Sequence, residues 1–206
     1  MIRMPSRFNE KEATEKAKMW CTSLVEKKST ALSAFEIRTY QSGQEIQIWG
    51  EIFTIQMKYQ PNGPNQITWD KSQNIQITLN DNHSQVTKNQ IIKELLSKFA
   101  AKRFLIPVSL RVHELNKKYF QSNIGNIRLK NNHSNWGSCS TKGNINLATR
   151  LLLAPREVID YVIIHELAHT KEMNHSKRFW AWVEKACPEY KHHEKWLKVN
   201  SNLCSF

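Results

Sequence analysis

The pentapeptide HELAH at residues 165–169 constrains this chain more than any other feature. Apolar residues at helical spacing precede it over residues 158–163 and predict a helix. Residues four apart lie on one face of a helix, so the imidazoles of His165 and His169 can bind one metal ion. Glu166 lies about 100° further round the helix and can face the same ion without binding it. We therefore expect a fold built around this helix.

A third histidine, His175, follows His169 by six residues. A helix that continued past His169 would carry residue 175 away by about 9 Å, so the chain must turn back. Asn174 tolerates the left-handed backbone that ends helices, and Ser176 can cap a new helix. We therefore expect His175 at a corner between two helices, where it completes a set of three ligands. Three protein ligands leave a fourth position for water, as in catalytic zinc sites.

This ligand set predicts a zinc-dependent hydrolase. Bound Zn²⁺ would lower the pKa of its water toward ~7 and polarise the substrate carbonyl. Glu166 would act as the general base and pass the water proton to the leaving group. An oxyanion would need a hydrogen-bond donor, and four candidates stay open: His133, Asn135, Arg150 and Tyr161. The alternative is three histidines that are exposed or packed in the core without a metal.

The other segments predict an α+β fold, because helices and strands come in separate blocks. Residues 9–28 predict an amphipathic helix with Asn9 and Glu12 as a capping pair. Segments rich in β-branched residues between Ile46 and Leu79 predict a small antiparallel meander. We expect the later elements in this order: a helix from Thr87 to about Phe104, a helix over 108–120 after Pro107, a strand over 124–130, a turn or bulge at 136–140, a strand over 144–152 and helices that begin near Pro155, Ser176 and Pro188.

Length and composition suit one domain or one domain with a small lobe. The chain has 206 residues, 40% of them hydrophobic. We expect an N-terminal helix and β-meander lobe over residues 1–85 and a second domain over residues 86–206, with one continuous domain as the alternative. No apolar run approaches the ~20 residues of a membrane helix, and the start lacks a signal peptide, so we expect a cytoplasmic protein that binds no membrane. Four scattered cysteines predict neither disulfides nor a cysteine zinc site.

Positive charge is concentrated in the middle of the chain. The formal net charge is +12, and residues 86–132 contain ten Lys or Arg residues against two Glu residues. Such a stretch could bind nucleic acid weakly, or acidic lipid or an acidic substrate. A solvated basic surface is the alternative, because no interleaved aromatic motif accompanies the charge.

Two blocks of the chain resemble the YgjP-like metallopeptidases, zincins that neighbour the SprT and WLM families. The first block, residues 135–147, begins with NWGSCS, and the second, residues 153–180, contains HELAH and the third histidine. Weaker likeness extends upstream to residues 3–5 and covers most of the chain. Almost nothing precedes residues 3–5, where the family pattern has a basic β-hairpin, so we expect a smaller N-terminal sheet or an open sheet edge.

The resemblance implies a zincin-like α+β fold, with an active-site helix packed on a small antiparallel sheet, and a zinc peptidase activity. His165, His169 and His175 match the family's metal-ligand positions, and Glu166 matches its catalytic position. The NWGSCS segment is expected to form a strand and turn over the helix. A peptide substrate could add along that strand edge. Core packing of this segment's Trp and Cys is the alternative.

Two other functions stay open beside peptide cleavage. The basic stretch could hold a phosphorylated substrate, such as a nucleotide, for a zinc hydrolase of a non-peptide bond. The SprT resemblance and the net charge favour a protease that acts on proteins associated with nucleic acid, by analogy alone. The sequence does not predict the oligomeric state.

Overall fold

The computed structural model of the chain describes residues 39–206, so the predicted helix over residues 9–28 and the start of the chain lie outside it. Within this part, seven strands and four α-helices follow in chain order: β1 (Glu45–Ile48), β2 (Glu51–Gln60), β3 (Gln66–Trp69), β4 (Asn74–Asn80), α1 (Gln85–Leu115), β5 (Ile127–Lys130), β6 (Gly137–Cys139), β7 (Ile145–Ala148), α2 (Arg156–Ala168), α3 (Lys177–Ala186) and α4 (Tyr190–Asn200). A π-helical turn (Asn116–Phe120) follows α1, and a 3₁₀ helix (Thr149–Leu153) precedes α2. The predicted α+β class is confirmed.

The first sheet has the strand order β1-β2-β4-β3, and β2 and β4 are parallel. The prediction of an antiparallel meander was therefore wrong. Strand β4 buries Ile75, Ile77 and Leu79 and occupies an inner position. Strand β3 has only exposed and half-buried residues, so it lies at the edge. Burial determines the strand order. Strand β4 has the more apolar face and occupies the inner position, so β3 lies at the edge although it follows β2 in the sequence.

A two-residue hairpin turn joins β1 to β2 and anchors the first sheet. Trp49 and Gly50 both have positive φ, 55° and 80°, as a type I′ turn requires. The Trp49 amide donates to the Leu152 carbonyl at 2.7 Å, and the Arg156 guanidinium lies 3.4 Å from the centre of the Trp49 ring. These contacts tie the hairpin to the segment that leads into α2.

Helix α1 continues through Pro107, where we expected two helices. It begins after Ser84, whose hydroxyl accepts a hydrogen bond from the Thr87 amide at 3.3 Å, so Ser84 is the cap rather than Thr87. Proline removes one backbone hydrogen bond from a helix. Phe104 and Val108 on either side are fully buried and keep one continuous apolar face against the core. No helix in residues 39–206 is long and apolar enough to span a membrane.

The second sheet has the order β5-β7-β6, with β7 parallel to β5 and antiparallel to β6. The sheet is therefore mixed, and not antiparallel as expected. Strand β6 lies in the segment that local patterns predicted as a turn or bulge and that the family resemblance predicted as a strand and turn. The strand predicted over 144–152 ends at Ala148. Within residues 39–206, β6 pairs along one edge only.

A bidentate ion pair between Arg111 of α1 and Asp160 of α2 holds the two helices together. Arg111 donates to both carboxylate oxygens of Asp160, at 2.9 and 2.6 Å, and pairs with Glu114 at 2.7 Å. The hydrogen bonds to Asp160 raise the pKa of Arg111 above its usual value. Such bidentate pairs fix orientation as well as distance. Buried side chains of both sheets and all four helices form one core, and the predicted division at residue 85 stays a prediction.

Candidate active site

The chain turns back at the end of α2, and this turn brings the three predicted ligands together. Residues 169–176 separate α2 from α3. The Nε2 atoms of His165 and His175 lie 3.1 Å apart. One ring nitrogen from each of His165, His169 and His175 can be chosen so that all three lie within 4.8 Å of one another. The corner expected from the spacing of the histidines is present.

The backbone of the corner differs from the expectation. Asn174 is not in the left-handed region. Its side-chain oxygen accepts a hydrogen bond from the Ser176 amide at 3.2 Å, and the Ser176 hydroxyl accepts one from the Phe179 amide at 3.3 Å. Two side-chain caps in succession therefore turn the chain and begin α3.

The donor set fits a zinc ion. Tetrahedral coordination with ordinary Zn–N bonds places two ligand nitrogens about 3.3 Å apart, close to the separation of His165 and His175. Nδ1 of His169 lies 3.2 Å from the Glu172 carbonyl, which can only accept, so the proton lies on Nδ1 and the Nε2 lone pair is free. Among the described residues, Nδ1 of His165 is buried without a hydrogen-bond partner. Three imidazoles that converge beside an unpaired buried ring nitrogen suit a cation.

Phe179 forms the floor of the histidine cluster. Its ring is fully buried, and its centroid lies 4.9, 4.6 and 4.7 Å from those of His165, His169 and His175. Trp180 stacks on His175 at 6.0 Å and on Tyr190 at 5.2 Å. Neither aromatic residue was among the predicted site residues, although both lie in the second block that resembles the YgjP-like family. Their position three and four residues after the capping Ser176 is the signal that could have found them.

Burial sets the protonation of the site. Burial, with smaller effects of His169 and His175, lowers the pKa of His165 to about 4. His165 is therefore neutral near pH 7, in the form that binds metal ions. Burial raises the pKa of Glu166 to about 8. A cation held by the adjacent histidines would favour the charged carboxylate and lower that pKa.

The Glu166 carboxylate lies against the backbone of β6. Glu166 is buried, and a Cβ atom added to Gly137 would lie 2.6 Å from Oε1, 2.7 Å from Cγ and 2.8 Å from Cδ of Glu166. These distances are shorter than real Cβ contacts allow, so a larger residue would have to displace the Glu166 side chain. Gly137 therefore lets the edge strand approach the carboxylate that is predicted to be the base.

We expect Gly137→Ala to displace Glu166 and reduce peptidase turnover by roughly 10- to 100-fold, because small misplacements of a catalytic group are costly. Zinc binding should persist, since residue 137 does not contact the histidines through a side chain. Ser138→Ala is the matched control, because Ser138 is exposed. Steady-state kinetics measure the turnover of both variants, and metal analysis measures their zinc content. Equal turnover in the two variants would show that the close approach does not matter.

A cleft of about 500 Å³ lies beside His165 and Glu166. Of the four candidate oxyanion donors, Asn135 and Tyr161 line this cleft. His133 and Arg150 line a different cavity. The structure therefore separates the four candidates into two near the predicted site and two away from it.

The helix, the histidine corner and the adjacent carboxylate define a class of protein, the metallopeptidase domains. One family model, described as "YgjP-like, metallopeptidase domain", matches residues 1–200. The chain belongs to the YgjP-like family. The resemblance found in the sequence is thus confirmed.

Two solved structures are similar to part of the chain. The metallopeptidase zymogen abylysin of Pyrococcus abyssi is 29% identical over 47% of this chain and 94% of that chain, with a TM-score of 0.42. The zymogen jannalysin of Methanocaldococcus jannaschii is 22% identical over 43% of this chain and 93% of that chain, with a TM-score of 0.36. No curated protein matches the chain.

Proposed function

We propose that this metallopeptidase is a zinc enzyme that cleaves peptide bonds in proteins or peptides, with zinc held by His165, His169 and His175. The observation that carries the proposal is the convergence of three imidazole nitrogens within 4.8 Å beside the buried carboxylate of Glu166. Three neutral nitrogen ligands are typical of catalytic zinc sites.

Glu166 is the general base in this proposal. Zinc, when bound, supplies Lewis acidity that makes water more acidic and polarises a carbonyl group. A carboxylate oxygen of Glu166 accepts a proton from the attacking water and then donates it to the leaving amine. The surroundings of Glu166 exclude most solvent, and Gly137 fixes how close the edge strand lies to the carboxylate.

The free edge of β6 is the proposed binding site for the substrate backbone. Strand β6 pairs with β7 and, among residues 39–206, with no other strand. An extended peptide that added to this edge would form main-chain hydrogen bonds beside Glu166. Protein and peptide substrates fit such a site because their backbone is its ligand.

Metal removal tests the proposal. We expect the purified chain to contain about one zinc ion and to hydrolyse casein or an unstructured peptide. A chelator should abolish hydrolysis, and added zinc should restore it. Atomic absorption and a fluorogenic peptide assay measure the two quantities. Hydrolysis that survives complete zinc removal would exclude the proposal.

Hydrogen bonds fix the amide orientation of Asn135, one of the two oxyanion candidates in the cleft. The Ser134 amide can only donate, and it donates to Oδ1 of Asn132 at 3.0 Å. The other end of the Asn132 amide is therefore Nδ2, which donates to Oδ1 of Asn135. This leaves the Nδ2 group of Asn135 to donate to a substrate oxygen. The Tyr161 hydroxyl also remains a donor, because burial raises its pKa and keeps it protonated.

Accordingly, Asn135→Ala should lower kcat for peptides, and kcat/KM with it, by about 100- to 1000-fold, the range for loss of one oxyanion donor. Zinc content should not change. Asn131→Ala is the control, because Asn131 lines the separate cavity and not the cleft. If the two variants have the same kcat/KM, Asn135 has no role in the reaction.

Weak nucleic-acid binding stays a prediction, as does a nucleic-acid-associated role of the peptidase. Three of the ten basic residues in the central stretch form ion pairs: Lys88, Arg103 and Arg111. A gel shift at ~50 mM salt tests whether the others bind DNA. Hydrolysis of a phosphorylated small molecule is the weaker alternative, and a nucleotide panel with zinc tests it.

A further inference from the structure

The cleft beside Glu166 has an apolar floor. Tyr161 and Val162 of α2 and Leu197 of α4 line it and are only 5%, 4% and 6% exposed. These side chains keep small exposed surfaces that face the cleft. Burial of such surface by a ligand releases water and is favourable.

One wall of the cleft is a fixed aromatic ring. Trp136 lines the cleft, and the Arg150 guanidinium lies 3.5 Å from the centre of its ring. Arg150 also donates to the carbonyls of Asn132 and His133, at 3.1 and 3.3 Å. The same arginine therefore holds the ring and the preceding loop, which gives the pocket a preformed wall.

The two charged residues of α4 at the rim of the cleft form an ion pair with each other. Glu194 and Lys198 lie four residues apart on α4, and their charged groups are 2.8 Å apart. An acidic or basic side chain entering the cleft would have to compete with this pair. An uncharged side chain meets no such competition, and the pocket therefore favours apolar ligands.

We propose that this cleft is the specificity pocket of the peptidase and takes a large apolar or aromatic side chain of the substrate, adjacent to the scissile bond. The inference rests on the proposed function for the position of that bond. Ser201 is exposed at the end of α4 and lines the cleft, so a larger side chain at this position would narrow it. The distance from the pocket to the base is short, since Glu166 and His165 line the same cleft.

Binding of peptides to the zinc-loaded Glu166→Gln variant tests the pocket without turnover. Blocked pentapeptides of the form Gly-Gly-Xaa-Gly-Gly carry a single side chain, so the side chain sets the register. We expect calorimetry to give at least ~10-fold tighter binding for Xaa = Phe or Leu than for Asp or Lys. Equal affinities across the series, or no binding of the Phe peptide, would overturn the proposal.

Two matched variants test whether the preference for apolar side chains arises in this cleft. Ser201→Tyr, added to Glu166→Gln, should narrow the cleft and weaken binding of the Phe peptide by about 10-fold. Val199→Tyr places the same side chain on the same helix at an exposed position outside the cleft lining and should change nothing. Both positions are exposed, so the fold should tolerate tyrosine there. A Phe preference that Ser201→Tyr leaves intact would place the binding site elsewhere.

These experiments distinguish a failure of the proposed peptidase chemistry from a failure of the proposed specificity pocket. If wild-type protein cleaves no peptide but Glu166→Gln binds the Phe peptide selectively, the proposed peptidase chemistry fails and the pocket remains. If wild-type protein cleaves peptides with Phe, Asp or Lys at equal rates and binds them equally, the chemistry remains and the pocket proposal fails.

Discussion

Glu166→Gln should reduce peptide hydrolysis by about 10²- to 10⁴-fold, the usual contribution of a general base. The amide keeps the shape of the carboxylate but cannot accept the water proton. Glu166 is buried between α2 and the edge strand, and glutamine fits the same volume against Gly137. Zinc content should be unchanged, because the three histidines are the proposed ligands. Initial rates with a fluorogenic peptide, together with zinc analysis, measure the effect.

Glu157→Gln is the matched control for this experiment. Glu157 lies on the same helix, in its first turn, and is exposed. The same charge is removed in both variants, so a difference between them reports the position and not the net charge. Should Glu166→Gln retain the activity of Glu157→Gln, proton transfer would have to be assigned to another group.

His175→Ala should weaken zinc binding by more than about 100-fold, since loss of an outer-shell partner alone costs about 10- to 100-fold. The histidine approaches His165 to 3.1 Å from the far side of the corner. Its removal leaves two nitrogens on one helix face, too few for a catalytic zinc site. Competition with a chromophoric chelator gives the zinc affinity directly.

His133→Ala provides the comparison, because His133 is exposed and lines a cavity away from the cluster. It should keep the wild-type zinc affinity and activity. A zinc affinity of His175→Ala equal to that of His133→Ala would mean that His175 is not a ligand. Peptide hydrolysis at limiting zinc should fall in the His175 variant alone.

Local spacing made the metal cluster predictable. Residues 165 and 169 share a helix face in any α-helix, and the capping residue Ser176 starts a new helix two residues after His175. Both are short-range properties of the backbone. The family resemblance rested on the same short segments, and the match over residues 1–200 agrees with it.

Features that depend on distant parts of the chain could not be predicted in the same way. The inner position of β4 follows from its packing against the core, and α1 passes Pro107 because Phe104 and Val108 are both buried. The contact between Gly137 and Glu166 joins residues 29 positions apart in the chain. No local pattern specifies which strand meets which helix, so the tertiary structure was needed for each of these.

Phe179 links metal binding at the site to the folding of the chain. Because this fully buried ring touches all three imidazoles, the ligands are part of the hydrophobic core that anchors α3. Zinc binding and folding are then thermodynamically linked: free zinc at 100 times its dissociation constant adds about 2.7 kcal/mol to the free energy of unfolding. The zinc supply would thus govern the fraction of the chain that is folded as well as its catalysis.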